Sequence, residues 1–129
     1  MSPETLRTWA EQCAQFLQAT MAQTLNLHAE LYETVLVTEY VERAGEPPVL
    51  NETGYTFRYR LQPEHHNIEP HVMSVTFEAE FKPLGVAALT YRVRCWEVSM
   101  DGVMVEPVFH GTIYANGQHH MVVTPVAEG

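Results

Sequence analysis

The chain predicts an α+β fold: one N-terminal helix packed on a curled, mostly antiparallel sheet of about six strands in meander order. Three observations carry this. Apolar side chains recur at helical spacing over residues 3–25. Downstream, runs rich in Val, Thr, Tyr and Phe alternate with polar residues at a period of two. Between the later runs stand Pro83-Leu84-Gly85, Asp101-Gly102 and Asn116-Gly117, the residue types that tight hairpin turns require.

Taken in order, Ser2-Pro3-Glu4 is a helix start: a hydroxyl cap, a proline whose missing N–H costs nothing there, and an acid at the positive helix end. Leu6, Trp9, Ala10, Cys13, Phe16, Leu17, Thr20, Met21 and Leu25 form its apolar stripe. A first strand is expected at about 31–42, with imperfect alternation, and Gly45-Glu46-Pro47-Pro48 ends it because proline cannot donate to a ladder. The chain to Gly54 is expected to be loop. Tyr55, Phe57, Tyr59 and Leu61 mark a half-buried strand at about 54–62. Gln62 to His71 is a polar, proline-bounded loop, followed by strands at about 72–82, 86–99, 103–115 and 118–125.

Two-residue turns at Asp101-Gly102 and Asn116-Gly117 would set Val98 opposite Val105, Cys95 opposite Val108, Val93 opposite His110, Tyr114 opposite His119 and Thr112 opposite Met121. A three-residue turn at Pro83-Leu84-Gly85 would set Phe81 opposite Ala87, Phe77 opposite Tyr91 and Val75 opposite Val93. All three turns then put Met73, Val75, Phe77, Ala79, Phe81, Leu89, Tyr91, Val93, Cys95, Val108, His110, Thr112, Tyr114, Met121 and Val123 on one inner face. The other face is expected to carry Arg58 and Arg60 against Thr76, Glu78 and Glu80, with Arg92 and Arg94 on the far side of those acids. Trp96, Val98, Val105, Pro107, Phe109, Ile113 and Val122 would share that outer face, too apolar a group to be left in water.

At 129 residues and 46% hydrophobic content the chain predicts a single domain spanning 1–129. Cys13 and Cys95 both fall on expected buried faces and read as inert thiols. No apolar run is long enough for a membrane span, and no secretory segment is recognisable, so the expectation is a soluble, cytoplasmic protein. A net charge of −9 opposes nucleic-acid binding, which needs clustered Lys and Arg to neutralise phosphates. The carboxylates are scattered rather than arrayed, which also argues against DNA mimicry.

Three groups of residues are candidates for function. Trp96, Val98, Val105 and Phe109 form an apolar outer patch suited to a protein partner or to homodimerisation. On the inner face His110 would lie near Tyr91 and Tyr114, where a buried imidazole needs a partner and a phenol could supply one, giving a small acid/base set. In the 62–71 loop, His65, His66 and His71 are the metal candidates, although no His-x-His, His-Glu-x-x-His or Cys-x-x-Cys spacing is present. Nor is there a nucleophile elbow, a phosphate-cradling loop or a dinucleotide fingerprint, so no cofactor and no particular enzyme activity is implied.

A helix followed by an antiparallel meander resembles the architecture of cystatin-like and related α+β folds, a likeness of shape that does not carry function. Six strands at ~4.8 Å span about 29 Å, whereas one helix of ~10 Å diameter covers two or three of them. The apolar remainder must be closed by curling, by a second subunit, or by both. The reading that follows is a small non-catalytic binding or assembly protein, acting as a homodimer or as an adaptor or chaperone. Its alternatives are a small-molecule site between helix and sheet near Tyr91, His110 and Tyr114, and a metal site at His65 to His71.

Overall fold

Asn26 stops the helix. In the computed structural model, which describes residues 3–85 and 87–123, this asparagine takes φ 54, a left-handed conformation that suits Asn at a helix end, and the Leu27 N–H turns back to the Met21 carbonyl (2.8 Å). Helix α1 therefore runs Pro3–Leu25 and the chain enters β1 (Ala29–Val41) directly. There follow β2 (Val49–Leu61), a short 3₁₀ turn (Pro63–His65), β3 (Val72–Leu84), β4 (Ala88–Ser99), β5 (Gly102–Tyr114) and β6 (His119–Val123). The six strands form one antiparallel sheet in the order β1-β2-β3-β4-β5-β6. Ser2, Val86 and residues 124–125, each assigned a place by the sequence reading, lie outside the described residues.

One face of α1 supplies Leu6, Ala10, Cys13, Ala14, Leu17 and Met21 to the core, against Phe57, Tyr59, Phe77, Phe81, Leu89, Tyr91, Val93 and Phe109 from the sheet. Full burial of each large apolar side chain stabilises by about 1.5–3 kcal/mol. Tyr59 adds direction: its buried hydroxyl donates to the Ala14 carbonyl (2.8 Å), which ties the middle of the helix to β2. Burial holds that phenol well above its ordinary pKa, so it remains a donor.

The outer face is held by ions. Glu78 lies between Arg58 (3.4 Å) and Arg94 (2.8 Å), and Arg58 also reaches Glu33 on β1 (2.7 Å). Glu80 takes Lys82 (3.2 Å) and Arg92 (3.8 Å). Arg58, Arg92 and Arg94 are thus cross-strand partners as the alternation predicts, while Arg60 lies over the Tyr32 ring at 4.8 Å.

Four bulges account for where the expected pairing fails. Tyr32 is an extra residue on β1 and Thr53 on β2, so the poor alternation of this hairpin is bulged strand, and β2 begins at Val49 where a loop was expected. Met73 is extra on β3, at the end nearest the β4–β5 turn. The fourth, Val108 on β5, matters most. Between Met100 and Val108 the offset from expectation is even: the loop is Met100-Asp101, stabilised by the Asp101 N–H to Ser99 Oγ (3.2 Å), and Val105 faces Trp96 rather than Val98. Past the bulge it is odd. Val93 faces Phe109, and His110 faces Arg92.

An odd slip exchanges faces. Phe109 and Ile113, expected outside, are core residues at 1% and 8% exposure, whereas His110 and Tyr114 are exposed. Met73 and Val123, expected inside, are exposed as well. At the last turn Ala115-Asn116-Gly117 forms a three-residue loop, with Gly117 at φ 90 and the Gln118 N–H held by Asn116 Oδ1 (2.9 Å), which shifts β6 by one residue. The two odd slips cancel, so Met121 packs on the core as expected. On β3–β4, Leu84 faces Ala88 and Phe81 faces Tyr91; this offset is even and leaves the faces as predicted.

Candidate functional site

The slips at Val108 and at the last turn cancel between β4 and β6, and what they change is the residue between them: Gly111 rather than Thr112 lies beside Tyr91 and Met121. Ile113 pairs with His119, and Gly111, one inward position back, pairs with Tyr91 on β4 and Met121 on β6. A Cβ on Gly111 would stand 2.2 Å from the His120 carbonyl oxygen and 2.5 Å from the Tyr91 hydroxyl. The missing side chain is therefore the space the Tyr91 phenol occupies as it crosses β5. At its far end the Tyr91 hydroxyl meets His119 Nε2 on β6.

Burial pushes the Tyr91 hydroxyl far above its ordinary pKa, with a smaller contribution from the nearby Cys13 thiol. The phenol consequently keeps its proton, and in the tautomer with Nε2 unprotonated it donates to that nitrogen. His119 is shifted the other way, first by desolvation and then by the neighbouring His120. It is a neutral imidazole with its own proton on Nδ1, the ring's remaining donor.

Helix α1 forms the opposite wall. Phe16, 47% exposed despite its place in the apolar stripe, sets its ring edge-on to His119 at 4.9 Å between centroids. Trp9, Gln12, Cys13 and Phe16 face Ile113, Tyr114, Ala115, Gly117 and His119 across an open groove of about 360 Å³. Among the described residues no charged side chain lines it. Burial raises the Cys13 thiol to about 11, so at neutral pH it is an apolar S–H lining group rather than a nucleophilic thiolate.

Of the expected acid/base set only Tyr91 keeps its inward place. The Val108 bulge turns His110 and Tyr114 to the exposed face, Tyr114 (39% exposed) at the rim of the groove, and His119 takes the partner's place assigned to His110. The expected register set His119 opposite Tyr114 but gave it no role, because His110 was already placed beside the phenols. The available signals were Pro107, which in a strand marks an edge or bulge, and Gly111, which in a strand marks close approach of another group.

The other candidates are dispersed or rearranged. His65 and His66 are joined by His28, with ring centroids 4.6 and 5.8 Å from it, while His71 instead pairs with Glu69 (3.3 Å). His66 Nε2 accepts the His28 backbone N–H (3.0 Å), which occupies the lone pair a metal would need. Among the described residues no three or more His, Cys, Asp or Glu side chains are placed to hold a metal ion. In the outer patch Trp96 and Val98 are half-buried and Val105, opposite Trp96, is 40% exposed; Phe109 lies inside the core and leaves the patch.

No helix among the described residues is long and apolar enough to cross a membrane. Compared with known proteins, the chain matches no family model, no curated protein sequence and no solved structure.

Proposed function

We propose that this chain is a small-molecule-binding protein whose site is the groove between α1 and the β5–β6 hairpin. Its ligand is an uncharged, flat, largely apolar ring system carrying one hydrogen-bond acceptor. The observation that carries this reading is the neutral Tyr91–His119 pair set under the edge of Phe16, in a lining without a charged side chain. Aromatic walls suit a planar ring, the Nδ1–H of His119 suits an acceptor, and a volume of about 360 Å³ lies in the range of small-molecule sites. An anion would find no cation in the lining and a net charge of −9 around it. Burial keeps Cys13 a thiol, so at neutral pH it supplies no nucleophile to the groove.

Quinoline and naphthalene, which differ by one ring acceptor, are suitable probes. Titrated into the protein and followed by amide and imidazole NMR, quinoline is expected to give saturable shifts at Cys13, Phe16, Ile113 and His119 and to bind tighter than naphthalene. Phe16→Ala should weaken it about five- to tenfold, the value of one aromatic contact. Absence of saturable shifts at millimolar quinoline, or shifts scattered away from these residues, overturns the reading.

A further inference from the structure

Among the described residues the sheet has three stretches of open edge, and they are not alike. β1 is guarded: it carries the Tyr32 bulge, and Glu30, Glu33 and Glu39 stand exposed along it. β6 is five residues long and begins with two histidines. The third stretch is the first half of β5. β6 pairs with β5 only from Phe109 to Ile113, so among the described residues Gly102 to Glu106 has β4 on one side and no strand on the other. Val103, Met104 and Val105 are 61%, 55% and 40% exposed, without a bulge or a charge between Gly102 and Val105.

We infer that this edge is completed by the same stretch of a second copy of the chain, paired antiparallel about Met104 so that the two sheets become one. The inference goes beyond the ligand groove and is independent of it. Its support is self-complementarity in shape and charge. With Met104 opposite itself, Val103 falls opposite Val105 of the second copy, Gly102 opposite Glu106 and Asp101 opposite Pro107, so no two like charges face each other. Two chains of charge −9 repel, yet they meet here along an edge whose only charge is Glu106. The chain's own residues 124–129 are a poorer occupant. Continuing the register in which Phe109 faces Val123 would set Pro125 opposite Pro107, where neither residue has an N–H to donate.

Solution mass of the full chain, read by native mass spectrometry and light scattering over a concentration series, tests this. The expected result is a reversible species of twice 14.7 kDa, strengthened by added salt. Met104→Lys should weaken it at least about tenfold, because it sets two cations face to face. Met104→Cys should give a disulfide-linked dimer on mild oxidation, since directly opposed strand residues lie within disulfide reach, while Tyr40→Cys on the β1 edge should not. A chain that stays monomeric and does not cross-link through Met104→Cys overturns the inference. So does a dimer that Met104→Lys leaves unchanged. A chain that dimerises only after residues 124–129 are removed would overturn it too, by showing that its own tail fills the edge.

Discussion

The helix-covered half of the sheet and the β4–β5 arm are built from the same alternation, yet one is core and the other is surface. In the covered half, Phe57, Phe81, Leu89, Val93 and Phe109 are each no more than 1% exposed. In the arm, Met73, Met100, Val103, Met104 and Val105 are each at least 40% exposed. Sequence pattern is equally apolar in both. The difference is cover: α1 has 23 residues, about 34 Å of helix, and its buried side chains meet β2 to β5 only over the stretch ending near Phe77 and Val93. Apolar alternation thus states that a face can be buried, and a second element decides whether it is. The covered half ends in the Tyr91–His119 groove; the uncovered half offers an unpaired edge.

The comparison can be broken most sharply at Phe109 and Val105, which alternation places on one patch. Phe109→Ala should cost about 3–5 kcal/mol by urea denaturation, whereas Val105→Ala should stay within about 0.5 kcal/mol; equal effects would sink the assignment of the Val108 bulge. Gly111→Ala comes next, at about 3 kcal/mol, because its Cβ meets backbone at 2.2 Å and the Tyr91 hydroxyl at 2.5 Å. Its imidazole NMR signature should also move, as the phenol is displaced from His119. On the outer face Glu78→Gln should cost about 1 kcal/mol, an effect that shrinks with salt, since its two arginine partners remain partly in water.

The smallest effect is one of pH. His119 has a folded pKa below the ordinary 6.5, so between those two values the unfolded chain binds the extra proton and stability falls as pH falls. The contribution is fully present above 6.5 and is lost as the pH drops through the lowered folded value. Quinoline affinity should fall as the pH drops through the lowered folded value, where Nε2 takes a proton and no longer accepts from Tyr91. His119→Gln should remove this pH dependence of both; a dependence that survives the substitution would belong to another group.

Much of the molecule was legible beforehand. The helix bounds follow from Ser2-Pro3-Glu4 and the apolar stripe, and the meander follows from alternating runs joined by turn residues. The Arg58, Glu78 and Arg94 ladder follows from residues that share a face. The candidate site was legible only in part. Tyr91 was set on the inner face, where it lies, but His110 and Tyr114 were set beside it because the turn was assumed to be Asp101-Gly102 and the strand to be regular. One residue of bulge at Val108 turned both outward; the three-residue loop at Ala115-Asn116-Gly117 cancels that slip, so His119 keeps the inner position the expected register gave it and meets the phenol across Gly111.

What the amino-acid order determined by itself is local: which segments coil, which extend, where the chain reverses, and which residues alternate. Local energetics of propensity, capping and turn chemistry act over a few neighbours and are written in them. Which β5 residues stay inside beside Tyr91, and which apolar edge is unpaired among the described residues, was decided by the tertiary structure alone. Both depend on the running sum of bulges and loop lengths between distant strands and on how far one helix reaches, and a change of a single residue in that sum exchanges the inside of a strand for its outside.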